Sequence, residues 1–412
     1  MAVSVLQRRV VLALMCLLVL VLAWRITAQG LGQHHARGLS DSSAVDSTLL
    51  WLPEHAQARF MLSQDAQKAA SEQANLLAQV IEVDPSNGLA VMAVARQYFD
   101  SKQFQLADEA ASLAITLAPA HLPLRLQAAD YWLQRNRWDK ALGHWSQALK
   151  ASYDLRNKLF PVLLAIAENP DSRPLLKPVV SENPNWWSAF FAHATTNAVD
   201  IHTVRALFAF RRLSEQPLSI GDRQRYFNFL KHEGRWSEAY IAWLNSVPKD
   251  QVQHAGLLFN GGFEYDLSYT GFDWQTHKVE GAMVEVTRTH GISGEKALHL
   301  VFRGLQKRFT YVYQHLLLTP GKHRFHGKVR PDSLKGETGL QWQIRCLSNN
   351  TIVGRSERFL GVDLWREFSF EFDIPSKNCG EQEAKLVVIS ENFKPVSVEG
   401  EIWFDDLVIT RM

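Results

Sequence analysis

Shifted by 34 residues, the chain matches itself. Pro85 falls on Pro119, Ala95 on Ala129, Tyr98 on Trp132, Phe104 on Trp138, Ala107 on Ala141 and Ala114 on Ala148. A fixed period of this length marks a repeat architecture, in which each unit buries its apolar face against the next. Ala95 and Ala107 are expected on facing helices of one pair, where a larger side chain would push the backbones apart; Ala114, Ala129, Ala141 and Ala148 repeat that role. Aromatics such as Tyr98 and Phe104 are expected to fill the wider gap toward the next pair. Pro119 stops a helix because it lacks a donor and disfavours helix in the residue before it.

The period, the small residues at helix contacts and the exit proline resemble the tetratricopeptide repeat. The match is strong over 88–151 and returns, degraded, near 187–247, where Arg235-Trp236-Ser237-Glu238-Ala239 echoes Arg137-Trp138-Asp139-Lys140-Ala141. Residues 53–84 read as a divergent unit, with Gln73 where the pattern wants Ala. Pro161, Pro170, Pro174, Pro178 and Pro184 predict short helices and an irregular register between the two matches. Trp186 and Trp187 have two readings, as repeat core or as groove lining. The resemblance implies an α-solenoid over 49–250 whose concave face binds a protein partner.

After Asp250 the period changes. Phe368, Phe370 and Phe372 alternate with Glu367, Ser369 and Glu371, and Leu340, Trp342 and Ile344 with Gln341, Gln343 and Arg345. Turn clusters such as Thr319-Pro320-Gly321-Lys322 separate these runs, which predicts an antiparallel β-sandwich over 251–412. The fold class is therefore α+β and multidomain. Trp342, Trp365 and Trp403 are expected in the core, because each sits among apolar residues.

The opening Asn260-Gly261-Gly262-Phe263-Glu264, the following Gly271-Phe272-Asp273-Trp274 and the closing Trp403-Phe404-Asp405-Asp406-Leu407 resemble the jelly-roll carbohydrate-binding modules attached to bacterial glycan hydrolases. The resemblance implies adjacent first and last strands that share a structural calcium, with Glu264 and Asp405 or Asp406 as its acidic ligands; the alternative is that these residues cap strand ends. Alternation puts Asp405 and Asp406 on opposite faces, so that one of them points inward. It also implies polysaccharide binding. Trp274, Tyr269, Tyr311 and Tyr313 are the stacking candidates, beside loops or in mixed strands. Gln341, Gln343 and Arg345 are candidates to hydrogen-bond hydroxyls.

At the N-terminus, Arg8 and Arg9 precede an apolar run from Val10 to Trp24 that Arg25 and Trp24 can end at an interface. Residues 1–29 read as a membrane anchor crossing through 10–28, or as a cleaved signal sequence; both readings stay open. The leading arginines favour a cytoplasmic N-terminus in a bacterial inner membrane with the bulk periplasmic, the alternative being release into the periplasm. Residues 30–48 read as a flexible tether, in which His34 and His35 make a poor metal site. Cys16 reads as a thiol within the span.

Lys plus Arg total 44 against 42 for Asp plus Glu, which argues against a nucleic-acid partner. With three cysteines, Cys346 and Cys379 are the two outside the span, and in an oxidising compartment they are expected to pair. No Ser/His/Asp motif or carboxylate pair stands out, so no enzyme is expected. An anchored helical repeat followed by such a sandwich resembles accessory proteins of bacterial exopolysaccharide machinery. The expectation is a non-enzymatic adaptor for polysaccharide assembly or export. The alternatives are a protein scaffold with a structural or protein-binding sandwich and, further off, a jelly-roll glycanase.

Overall fold

Among the described residues, ten α-helices and a 3-10 turn at Arg173–Leu176 fill the first half of the chain. They are Val5–Ala36 (α1), Ser42–Trp51 (α2), Ala56–Ser63 (α3), Ala70–Val83 (α4), Gly88–Asp100 (α5), Phe104–Leu117 (α6), Leu122–Gln134 (α7), Trp138–Ala151 (α8), Arg156–Glu168 (α9) and Lys177–Ser181 (α10). Five more follow: Trp187–Asn197 (α11), Ile201–Arg212 (α12), Ile220–His232 (α13), Trp236–Leu244 (α14) and Lys249–Val252 (α15). The structure, a computed structural model, describes residues 5–39, 41–65, 67–252, 255–276, 280–305, 312–336, 338–388 and 397–412. It divides into two units, Met1–Trp187 and Ser188–Met412.

In the first unit, Val11–Ala36 is, among the described residues, the one stretch of helix long and apolar enough to cross a membrane. Its 26 residues span roughly 39 Å at ~1.5 Å each, against ~30 Å of hydrocarbon. The stretch whose composition suggests a tether is largely helical. α1 continues to Ala36, and α2 begin at Ser42 with Asp41 accepting from the Ser43 N–H at its N-cap. Within that stretch Gly32 packs directly beneath the Leu52 side chain.

The α5–α6 and α7–α8 hairpins bring alanines together. Ala95, Ala107, Ala114, Ala129, Ala141 and Ala148 have no exposed surface. The 34-residue echo has a backbone cause as well. Lys102 and Asn136 take positive φ of 59° and 57° at the two hairpin turns, and the next N–H donates back to Tyr98 O and Trp132 O, each at 2.8 Å. Gly234, at φ 68°, repeats the turn in α13–α14, with the Arg235 N–H donating to Leu230 O. Phe104 does not fill the gap as expected. It is 40% exposed, edge-on to Phe99 and under the Arg135 guanidinium, because its position at the first turn of α6 points it out of the hairpin. Trp186 and Trp187 are buried, so they do not line a groove.

The second unit joins α11–α15 to an antiparallel β-sandwich. Its strands are Gln275–Thr276 (β1), Ala282–Arg288 (β2), Lys296–Leu305 (β3), Val312–Leu316 (β4), Gly321–Gly336 (β5), Leu340–Cys346 (β6), Ile352–Arg355 (β7), Arg366–Ile374 (β8), Gln382–Val388 (β9) and Val398–Arg411 (β10). One sheet has the order β1-β4-β9-β6-β7, the other β2-β3-β10-β5-β8. Their inner faces meet in a single core that includes Trp342, Leu386, Phe325 and Phe404. Cys346 and Cys379 form a disulfide, with Cα atoms 4.9 Å apart.

The Asn-Gly-Gly-Phe-Glu opening closes the sandwich. Leu407 donates its N–H to Gly261 O, and a Cβ on Gly261 would strike the Leu407 carbonyl at 1.8 Å, so only glycine lets the first turn reach the last strand. Asn260 clips the turn through both its amide atoms to the Tyr265 backbone. Gly271 is the second required glycine, at φ 60° against the face of Trp243. Trp243 also meets Phe259 and Phe272 edge to face or tilted, and Gln224 accepts the Gly271 N–H at 2.7 Å. The last helical hairpin and the sandwich thus share one apolar seam, although the sequence period changes between them.

Candidate functional site

Strand alternation sorts the side chains of the β1-β4-β9-β6-β7 sheet. Val312, Leu316, Ala384, Leu386, Trp342 and Ile344 point into the core. Their neighbours Tyr313, His315, Glu383, Lys385, Gln341, Gln343 and Arg345 therefore share the outer face. Register aligns them in rows. Gln275 pairs with Tyr313, Tyr313 with Lys385, Lys385 with Gln343 and Gln343 with Arg355. Beside that row, His315 pairs with Glu383 and Glu383 with Arg345.

The polar groups of this face hold one another flat. Gln341 donates to Ser356 O at 2.6 Å, Gln343 to Gln341 Oε1 at 3.3 Å, and Arg345 Nη2 to Gln343 Oε1 at 3.0 Å. Arg345 Nη1 donates to Asn350 Oδ1 at 2.9 Å. Lys385 Nζ lies 3.3 Å from Glu383 Oε1 and 5.3 Å from the Tyr313 ring centre. Burial, and then the Glu383 charge, holds the Tyr313 phenol above its usual range.

The β4 edge of the face is walled by helix. Trp236 stands edge-on to His315 at 5.3 Å, and Lys231 Nζ lies 3.4 Å from His315 Nδ1. Burial, with Lys231 and Lys385 nearby, pushes the His315 imidazole down to about 3, so it is neutral. Burial alone lowers Lys231 to about 8.

The sequence candidates divide. Tyr313, Gln341, Gln343 and Arg345 meet on this one face. Tyr269 is 51% exposed in the turn before Gly271, off the sheet. Tyr311 lies outside the described residues. Trp274 is not a surface aromatic: it has no exposed area, packs tilted on Phe263 and Trp342, and donates its indole N–H to Asn260 O. The loop beside it misled, because that turn folds in to plug the end of the sandwich. Asp273, one residue before, accepts from the Ser268 N–H and hydroxyl, and burial raises its carboxyl.

Trp342 is core, but Trp403 is on the outer face of the other sheet, since Ile402 and Phe404 take the inward positions. It is shielded there by stacking on His299 at 3.6 Å and by the Arg330 guanidinium. His299 in turn reaches Glu285 and Glu401 with its two ring nitrogens, at 3.1 and 2.9 Å. Trp365 is half-buried and donates to His290 O. Lys385, Glu383, His315 and Arg355 were not picked out from sequence. The alternation of Glu383-Ala384-Lys385-Leu386 carries the signal for the first two.

The acidic corner is built where β10 bulges. Asp405 is 1% exposed, and Asp406, at φ 51°, turns outward. Asp406 pairs with Lys328 at 2.9 Å and accepts from the Ser293 hydroxyl. Glu264 accepts the N–H groups of Glu295 and Lys296 at 2.9 and 3.1 Å. Asp405 Oδ2 accepts the Ser293 N–H, while its Oδ1 is buried without a partner, and burial raises the carboxyl to about 6. Among the described residues no group of three or more His, Cys, Asp or Glu side chains is placed to hold a metal. The orphaned Asp405 oxygen is the feature that fits a hard cation, which would complete its shell from backbone carbonyls.

No protein-family model matches the chain, and no curated protein matches it. Solved structures do. An enzymatically active domain of bacteriophage CBA120 tailspike protein 4 is 11% identical, with 38% of this chain covering 21% of that one at a TM-score of 0.29. A module designated CBM4 is 14% identical, with 38% and 99% covered and a TM-score of 0.28. A family 16 carbohydrate-binding module is 18% identical, with 38% and 100% covered and a TM-score of 0.27.

Proposed function

We propose that this protein is a non-enzymatic adaptor of a bacterial polysaccharide assembly or export system. In this reading α1 places it at the inner membrane with the bulk periplasmic, retained as an anchor or removed as a signal. Tetratricopeptide-like hairpins hold a protein partner, and the outer face of the β1-β4-β9-β6-β7 sheet holds glycan. The observation that carries the glycan part is the row Tyr313–Lys385–Gln343–Arg355, with Gln341 and Arg345 fixed beside it by amide hydrogen bonds.

A sugar hydroxyl gives up good water hydrogen bonds on binding, so a protein gains most by offering donors and acceptors that are already oriented. The glutamine–arginine chain does this, and the half-buried Tyr313 ring offers an apolar surface next to it. A calcium ion at the acidic corner would be structural, held by Asp405 with Glu264 nearby, and it would relieve the orphaned Asp405 oxygen.

The test is a glycan array probed with the full-length protein in detergent. Binding to one or more polysaccharides is expected, weakened by Tyr313→Ala and by Gln343→Ala with unfolding unchanged. Loss in neither variant would move the site elsewhere. One observation favours a protein-binding sandwich: in the β7–β8 connection, Val362 and Leu364 are 74% and 82% exposed. An array without glycan hits would support that second reading.

A further inference from the structure

The glycan face has a charge its neighbours do not cancel. Arg345 is gripped on both sides by neutral amide oxygens, Asn350 Oδ1 at 2.9 Å and Gln343 Oε1 at 3.0 Å. Its Nε is buried without a partner. A guanidinium held by amides keeps its full charge and is oriented before any ligand arrives, unlike one spent on a carboxylate. Arg355 is exposed on the adjacent edge strand, in the same row as Gln343 and Lys385. Against these three cations the face sets Glu383, which pairs with Lys385 and lies across from Arg345 in register, and Glu381 just before the strand, so the cations outnumber the carboxylates. The other sheet differs: there Arg324 meets Glu371, and Lys328 meets Asp406.

We infer that the face selects acidic polysaccharide, with Arg345 and Arg355 meeting the carboxylates of a uronate-bearing chain whose rings lie along the Tyr313–Gln343 row. This rests on the glycan-binding reading and deepens it. From Tyr313 to Arg355 the row crosses three inter-strand spacings, about 14 Å, which lets one bound chain reach the phenol and a guanidinium together. A preoriented guanidinium such as that of Arg345 makes charge-assisted hydrogen bonds to a carboxylate, and Arg binds carboxylate in a fork that an ester cannot accept in the same way; Arg355 adds a second, exposed cation on the edge strand.

The experiment compares polygalacturonate with its methyl ester, which keeps the sugar backbone and removes the charge. Titration uses the full-length protein in detergent. The acid form should bind about tenfold or more tightly than the ester at low salt. The gap should close near 1 M salt, where the Debye length is roughly 3 Å. The double variant Arg345→Gln, Arg355→Gln should bring the two affinities together, the acid form losing about tenfold or more beyond whatever the ester loses. Arg345→Lys with Arg355→Lys should keep most of the preference, which separates lost charge from lost fold. Tyr313→Ala should weaken both polymers alike. Equal binding of acid and ester by the wild type would overturn the inference and leave the glycan reading standing. An acid preference untouched by the double Gln variant would also overturn it, by placing the charge elsewhere. Binding of neither polymer, nor of mannuronate or neutral glucan chains, would overturn both.

Discussion

Ala107 and Ala141 lie in the core of the helical hairpins with no exposed surface. Ala107→Leu or Ala141→Leu should cost about 1–3 kcal/mol, because added methylenes must displace a packed neighbour. Urea unfolding of each variant checks this, and unchanged midpoints would mean the hairpins pack through other positions. Asp405 makes a pH prediction. Its carboxyl is raised by burial to about 6, above an ordinary value near 4, so the folded state holds the proton more tightly than the unfolded one. By linkage, this group's contribution to stability falls as pH rises from about 4 to about 6 and stays low above that. Metal-free protein should therefore melt higher at pH 5 than Asp405→Asn predicts from its flatter profile. Calcium at pH 7 should raise the wild-type melting temperature and leave Asp405→Asn unmoved. At this scale the sequence was informative where a residue's neighbours are local. The alanine period reports helix contacts directly. Trp274 is buried because the turn beside it folds inward, which no local pattern displays; Trp403 is buried as its apolar neighbours suggest, but on the outer face, a parity that the unbroken run Ile402-Trp403-Phe404 does not reveal.

Two elements tie the second unit together. The disulfide closes a loop of 33 residues, and the chain-entropy model gives roughly 3–4 kcal/mol for such a link. Reductant should lower the urea midpoint accordingly, and alkylation of the unfolded, unreduced protein should label Cys16 alone. The α13–α14 hairpin closes the other side. Trp243, 1% exposed, meets Gly271, Phe259 and Phe272, so Trp243→Ala should cost about 3–5 kcal/mol. A chain beginning at 251 would expose this seam and is expected to aggregate or melt lower than one beginning at 188, as followed by calorimetry and light scattering. The strands themselves were legible, since Phe368 and Phe372 on one side of their alternation are buried. The seam was not. Lys231 and His315 meet across 84 residues of sequence, and neither carries a local mark of its partner. The face was half legible: Gln341, Gln343 and Arg345 alternate on one strand, but only sheet order adds Lys385 and Arg355 to their rows.

For the whole molecule, a long apolar helix, a helical repeat and a two-sheet sandwich follow one another along the chain, and each has its own sequence period. Each period reports its own element, so the architecture is legible in the sequence, whereas the outer face of the β1-β4-β9-β6-β7 sheet, assembled from several strands, is legible only in part. Topology has a direct check: a reporter fused after residue 412 should be active only in the periplasm, and intact mass of the membrane fraction will show whether α1 is retained. Binding of polysaccharide to the outer face of the β1-β4-β9-β6-β7 sheet can be tested by hydrogen exchange on the full-length protein with and without a bound glycan. Protection should appear in β4, β6, β7 and β9 and be lost with Tyr313→Ala. Protection confined to β5, β8 and β10, or to the helical hairpins, would place the glycan elsewhere and overturn the proposed face.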